Sequence, residues 1–414
     1  MTSLSKHISR LIFFVLLSLT LVQESFSQEN QDPSELLTDK LIKKGLENIA
    51  VKKSGKDIYI FYENRRYRWE PDAINEIFKE TGNSYNDSSR IHVVPLHHHI
   101  PFTVISGNIQ GLNDITFNTD SVQKLLHRLK TKNRSYGKID LVFLPGFMVQ
   151  FGNYDHPVEW QVNLTPILRA SLWKGMTLSA RATIPLHSEL QQYEENKIRL
   201  GTVALNQLFR LPKNVFLNLS TGLFTYPNKI SSELEYERYG FNSDLRKYFL
   251  NSDLCVGGNL GVTGQARLSK GVLDYWPMDR VNYSIYGEYR DPVYNVTTRL
   301  TAGKFLYDDF AVRFDLSRQF REVTIGFFAL KSDFGYNGGF SFIIPIAPRR
   351  QLKPAPVRVG LSNYFKWEYQ ASSVHPSASI YQTDSDLDDK MRFLNAGYLK
   401  NQIGERSQGK GEDK

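Results

Sequence analysis

The chain has 414 residues, a formal net charge of +8, 13% aromatic residues and a single cysteine. Its mean hydropathy of −0.38 excludes a bundle of membrane helices, each of which needs roughly 20 apolar residues. It does not exclude a transmembrane β-barrel, whose strands alternate polar and apolar residues and escape a hydropathy window. The basic residues are spread along the chain rather than clustered, and no nucleic-acid motif accompanies them, so the charge reads as solvated surface and no nucleic-acid partner is expected.

At the N-terminus, Lys6 and Arg10 precede the apolar run Leu11 to Val22, and Ser25 and Ser27 stand just before Gln28. This pattern predicts a cleavable secretory signal peptide over residues 1–27, hence work outside the cytoplasm. No cysteine stands at the cleavage region, so no lipid anchor is expected there. Cys255 has no partner for an intrachain disulfide.

Residues 28–134 predict a small α/β domain. A helical stripe (Leu36, Leu37, Leu41, Ile42, Leu46) leads into a buried strand in "KDIYIFYENRRYRW", then a helix with Pro71 in its first turn and Gly82 as its stop. One or two strands around Pro95 and Pro101 and a third helix over "NTDSVQKLLHRLK" complete it. The polar linker "TKNRSYGK" follows.

From residue 135 to about 371 the period is two. Apolar residues occupy every second position in about 13 segments: 139–151, 158–172, 176–186, 198–211, 215–224, 233–249, 254–266, 281–290, 294–306, 309–318, 322–331, 338–346 and 357–369. The fourth and sixth are poorly phased. Segments of 10 to 16 residues suit a tilted bilayer crossing better than a soluble sheet. Trp160, Trp173, Tyr283, Tyr289, Tyr294, Phe305, Tyr307, Trp367 and Tyr369 stand near segment ends, as aromatic girdles would. The expected fold is therefore mainly β: a single transmembrane antiparallel β-barrel of 12 or 14 strands, even-numbered like other single-chain bacterial barrels. A small α/β periplasmic domain precedes it, and a polar tail of residues 372–414 follows. A secreted all-β protein with long sheets is the competing reading.

The same phase selects lumen-facing polar residues, with Arg169, Arg181, Arg299, Arg313, Asp315 and Glu322 as candidates. Counted over the whole barrel, the lumen carries Arg169, Arg181, Arg199, Arg299, Arg313, Arg358 and Lys366 against Asp140, Glu159, Glu288, Asp315, Glu322 and Glu368. This near balance argues against a dedicated anion pore. His97, His98 and His99 are the one eye-catching cluster; on a strand only His97 and His99 could share a metal, and further ligands are not evident. No catalytic motif stands out and no cofactor is implied.

Two stretches carry a resemblance. "GLENIAVKKSGKDIYIFYENRRYRW" (Gly45 to Trp69) and "TAGKFLYDDFAVRFDLSRQFREVTIGFFAL" with the later "GFSFIIPIAPRR" (Thr301 to Arg350) resemble the YjbH family of bacterial envelope proteins, related to the capsule protein GfcD. The resemblance implies an outer-membrane β-barrel with periplasmic α/β elements, serving exopolysaccharide or capsule export without enzymatic activity. Its partners would be outer-membrane lipid, an extracellular polysaccharide and periplasmic export proteins. The chain departs from larger family members in having room for one barrel, and from lipoprotein members in lacking an anchor cysteine. Two other function classes remain: a barrel enzyme acting on lipid or glycan, and a structural or adhesive barrel. An open lumen would favour passage; an occupied lumen with a constellation at its rim would favour the enzyme.

Overall fold

The computed structural model describes residues 32–409, except 86–88, 109–110, 152–156, 190–197, 226–236, 270–271, 354 and 371–376. The expected signal peptide, residues 1–27, lies outside the described residues. The chain is mainly β and builds two sheets of very different size.

The smaller sheet belongs to the N-terminal α/β unit. Helix α1 (Pro33–Lys43) starts with Pro33 in its first turn and is capped by the Asp32 carboxylate, which accepts from Ser34 N at 3.0 Å. A hairpin follows: β1 (Glu47–Ser54) pairs with β2 (Asp57–Glu63) across a turn in which Gly55 adopts φ +62°. Strand β1 was not expected, because its Lys52, Lys53 and Ser54 end leaves too short an apolar pattern to register. Helix α2 (Glu70–Gly82) crosses over to β3 (Arg90–His97), parallel to β2. Short β4 (Ile100–Pro101), β5 (Val104–Asn108) and β6 (Gly111–Thr116) complete the sheet, and α3 (Asp120–Arg128) covers its other face with Val122 and Leu126.

The larger sheet begins at β7 (Ile139–Phe151) and runs through β8 (Val158–Trp173), β9 (Met176–Ser188), β10 (Arg199–Leu211), β11 (Val215–Phe224) and β12 (Glu237–Phe249). It continues with β13 (Leu254–Ser269), β15 (Arg280–Asp291), β16 (Val296–Lys304), β17 (Phe310–Phe320), β18 (Val323–Ser332) and β19 (Gly335–Pro345), each antiparallel to the one before. Short β14 (Val272–Tyr275) only extends β13. The last segment is split. Its first part, β20 (Val357–Leu361), pairs in parallel with β7, and its second, β21 (Tyr364–Gln370), pairs antiparallel with β19. Only Ser362 and Asn363 separate the two, and Ser362 still donates its N–H to Phe143 O at 2.9 Å. Both ends of the strand path therefore lie on one stretch of chain.

Among the described residues, thirteen long segments account for the sheet once β20 and β21 are read as one. The expected even count is corrected to an odd one, and parity explains the parallel pairing. In an alternating run the thirteenth strand points the same way as the first, so these two can meet only in parallel.

Five short connections, around Lys174–Gly175, Pro212–Asn214, Leu250–Asp253, Pro292–Asn295 and Arg321–Glu322, lie at the end carrying the α/β unit; Asp333–Phe334, equally short, turns at the other end. At the first of the five, Gly175 holds φ +75°. A Cβ there would fall 2.1 Å from Leu208 O, which glycine alone avoids. Its N–H meets His98 O at 2.8 Å, joining turn and α/β unit. The main hydrophobic core is shared: Leu41, Ile60, Ile74 and Phe102 of the small unit join Leu208, Phe216, Tyr248 and Tyr286 of the large sheet. The linker is also fixed, because the buried Asn48 donates to Ser135 Oγ at 2.8 Å and Ile49 bridges Lys132.

Residues 377–409 fold back into the molecule. From 377 to 386 the chain runs extended along the inner face of the large sheet, and helices α4 (Leu387–Leu394) and α5 (Ala396–Gly409) carry it to the α/β unit. Tyr398, fully buried, accepts from Trp69 Nε1 at 3.0 Å and donates to Arg321 O at 2.9 Å.

Candidate functional site

The two faces of the large sheet differ sharply. On β17, Phe310, Val312, Phe314 and Leu316 point outward and are 40–51% exposed, whereas Ala311 is 1% exposed. On β18, Ile325 and Phe327 lie outward and Phe328 and Leu330 are buried inward. The same alternation places Phe241, Leu245, Leu260, Ile285 and Leu300 outside. Of the expected girdle, Trp173, Tyr283, Tyr289 and Tyr294 are exposed; Phe305 is 8% exposed and sits among inner residues instead.

The inner face encloses a cavity of about 660 Å³ against the α/β unit and residues 377–394. Arg169 lines it, with Asp386 of the C-terminal segment as an electrostatic neighbour. Arg181 also lines it and forks onto Asp384, with Nε to Oδ2 at 2.9 Å, and donates to Gln382 Oε1 at 2.9 Å. Arg299 stacks over the Tyr286 ring at 3.8 Å and lies 3.6 Å from Glu288. Arg313 and Asp315 form a separate group with Glu368, at 2.7 and 2.9 Å from Arg313 Nη2. Glu322 departs from expectation: it sits in the β17–β18 turn, buried, and binds the α/β unit. Arg68 donates to it from Nε at 2.7 Å and Nη2 at 3.0 Å, so Glu322 closes a joint rather than lining open space.

That joint gives the motif residues a physical role. In "ENRRYRW", Arg68 N donates to Arg349 O at 2.9 Å, Gln351 N donates to Arg66 O at 2.8 Å, and Tyr67 bridges Arg350. The two stretches that carry the family resemblance thus lie side by side. A second clasp centres on Asp140, 2.5 Å from Arg65 and 2.9 Å from Arg358. Arg65 also reaches Glu47 at 3.0 Å. Burial works against the Arg65 charge, but Asp140 and Glu47 outweigh it and hold its pKa above the ordinary value.

The histidine cluster is not the strand site that the alternation suggested. His98 and His99 adopt φ +48° and +66° in the turn after β3. His97 and His98 consequently lie on the same side, ring centroids 3.9 Å apart, with one ligand atom each of Glu63, His97 and His98 within 4.8 Å of one another. These three could hold a divalent cation, but protein partners already engage them. His97 Nε2 is 2.8 Å from Asp386 Oδ1, His98 Nδ1 is 3.0 Å from Ser171 Oγ, and Glu63 accepts from the N–H groups of His98 and His99 at 3.2 and 3.4 Å. Burial pushes the His98 imidazole down to about 3 and that of His99 to about 4. The serine and the carboxylate meet different imidazoles, so Ser171–His98 and His97–Asp386 are two pairs and not one relay.

Sequence reasoning missed Arg246. It is buried, pairs with Asp244 and lies 2.5 Å from Asp388; its strand, β12, falls in the poorly phased segment 233–249, whose alternation does not assign Arg246 to a face. It also missed the acidic run Asp384, Asp386, Asp388 and Asp389, which looked like a solvated tail. Their alternate spacing against an arginine-bearing sheet was the available signal.

A large sheet with an apolar outer face, a charged inner face and an α/β unit clasped to one end defines the class: a β-rich protein that keeps its polar chemistry inside. The chain belongs to the YjbH family, described as exopolysaccharide biosynthesis protein YbjH, whose model matches residues 19–349. Its function is accordingly exopolysaccharide-related. Comparison with curated proteins finds no match.

Proposed function

We propose that the chain is an outer-membrane β-barrel that assists export or assembly of an extracellular polysaccharide, with the α/β unit as a periplasmic cap and no covalent step of its own. The outer face of the large sheet carries the reading: a continuous apolar surface, with Ile285 73% and Phe327 62% exposed, is unfavourable in water and natural in lipid. The pairing of residues 357–370 with both β7 and β19 supports closure of the sheet into a barrel. Among the described residues no helix is long and apolar enough to cross a membrane, so a crossing would use strands. The short turns at the capped end suit the periplasmic side.

The lumen of this barrel holds residues 377–394, the occupancy that would have favoured an enzyme had a converging rim constellation accompanied it. The separated Ser171–His98 and His97–Asp386 pairs support the non-enzymatic reading instead.

Deleting the gene and measuring polysaccharide on the cell surface and in the periplasm tests the proposal. The expected result is less at the surface with accumulation behind it. Unchanged amounts in both places would sink it.

A further inference from the structure

The near balance of lumen charges counted from sequence does not hold where the cavity is. Among the described residues that line it, the large sheet contributes six basic side chains, Arg169, Arg181, Arg246, Arg299, Arg358 and Lys366, against two acidic ones, Asp140 and Asp244. Glu159, Glu288, Asp315, Glu322 and Glu368, which evened the count, are not among its lining residues. Asp140 is engaged by Arg358 and by Arg65 of the cap, Asp244 pairs with Arg246 and Glu288 lies 3.6 Å from Arg299, so the excess positive charge of this wall falls on Arg169, Arg181 and Lys366.

The missing negative charge comes from one segment. Asp384 takes Arg181, Asp388 lies 2.5 Å from Arg246, Asp389 lies 2.5 Å from Lys366, and Asp386 has Arg169 as an electrostatic neighbour. These four basic residues stand on β8, β9, β12 and β21, so a single acidic strand of chain meets cations on several walls at once. The wall is also shaped for this occupant. Tyr381 lies over Gly261, where a Cβ would fall 1.8 Å from the phenol oxygen. That hydroxyl meets Asn242 Oδ1 at 3.2 Å and Asn282 Oδ1 at 3.0 Å, and the ring stacks on Phe224 at 4.9 Å. Asn242, Gly261 and Asn282 form one row across β12, β13 and β15.

A tyrosine ring on an aromatic, flanked by amide groups and followed by four carboxylates set against Arg181, Arg246, Lys366 and, for Asp386, His97 with Arg169 nearby, presents the groups that a carboxylated sugar chain presents: flat faces, hydroxyls and repeated negative charge. We propose that this chamber is a binding site for an acidic, uronate-type polysaccharide, and that residues 377–390 occupy it as an intramolecular mimic of that ligand. This rests on the polysaccharide reading above and narrows it to a charge class.

The test uses the full-length protein in detergent with fluorescent oligogalacturonate as probe and neutral dextran of equal length as control. Replacing Asp384, Asp386, Asp388 and Asp389 with Asn removes the charge of the mimic while keeping its size. Oligogalacturonate is expected to bind this variant at least tenfold more tightly than the unaltered protein, with R181A in the same background abolishing the gain and dextran binding neither. A second variant, Gly261→Leu, evicts Tyr381 without altering any charge and should show a gain in the same direction; folding of both is checked by heat-modifiable gel mobility. In planar bilayers the Asn variant should conduct more and prefer anions. A folded Gly261→Leu or Asn variant that fails to gain oligogalacturonate binding overturns the proposal. Equal gain for dextran overturns the charge class alone and leaves the export reading standing, which deletion tests separately.

Discussion

His98 shows how a single residue couples conformation to acidity. Its positive φ turns the imidazole toward Ser171 and Glu63, and burial keeps it neutral, with a pKa of about 3. In the unfolded chain the same group titrates near 6.5. Between these values the unfolded state binds a proton that the folded state does not, so stability is complete above about pH 6.5 and falls as the pH drops toward 3. The slope approaches about 1.4 kcal/mol per pH unit for one such histidine. His99 adds a smaller share in the same direction. Melting temperatures in detergent should fall steadily from pH 7 to pH 4, and His98→Gln should flatten the profile. A melting temperature that is constant over this range would show that His98 is charged in the folded protein. None of this was legible beforehand, because nothing in "HHH" announces that two of its members leave the strand conformation.

Between elements, the α/β unit is held by a few buried ion pairs set at joints. Arg68 and Glu322 lie 254 positions apart in sequence and make a two-pronged contact with both side chains almost wholly enclosed. Removing one partner leaves a buried charge, which costs about 3–5 kcal/mol. Removing both costs less, because no orphan remains. Arg68→Ala and Glu322→Ala should therefore each lower stability markedly, and the double variant should lose clearly less than the sum of the two single losses, as read from urea unfolding followed by the cap's tyrosine and tryptophan fluorescence. Additive losses would remove Arg68–Glu322 as a coupled joint. The period-two strands were legible because every strand carries its own phase. The clasps were not, since an arginine in "ENRRYRW" and a glutamate in a hairpin turn carry no mark of each other. The resemblance had pointed at both stretches without saying that they touch. Strand β1 and Arg246 were lost for a local reason, a phase too short or too irregular to read.

For the molecule as a whole, the outer face decides which solvent it meets. Phe314 stands near the middle of β17, outward and 44% exposed. Arginine there should lower stability by roughly 2–4 kcal/mol near a bilayer midplane. Equilibrium unfolding from lipid vesicles measures this, and Arg in place of the inward Ala311 is not an equivalent control because it would collide with the packed inner face. A Phe314→Arg protein that inserts with unaltered stability would count against the membrane reading. The mainly β architecture, the α/β unit and the alternation of faces were all accessible from pattern. What occupies the inner space was not, because a polar segment rich in Asp, Ser and Thr has the same composition whether water or arginines surround it.

The odd number of strands has one more consequence. The first strand leaves the capped end, so the thirteenth also leaves it and delivers the chain, at Gln370, to the opposite mouth. Leu306 N donates to Ser379 O there at 3.2 Å, and Ala378 N donates to Asp309 Oδ2 at 2.8 Å; yet Tyr398 is buried beneath Trp69 at the cap. The shortest route between those points runs down the axis. With an even count the chain would have emerged beside the cap with no journey to make. In a closed sheet, counting parity therefore makes the molecule a needle's eye threaded by its own end, and assembly must wrap the wall around that thread or draw the thread through before Tyr398 can lock.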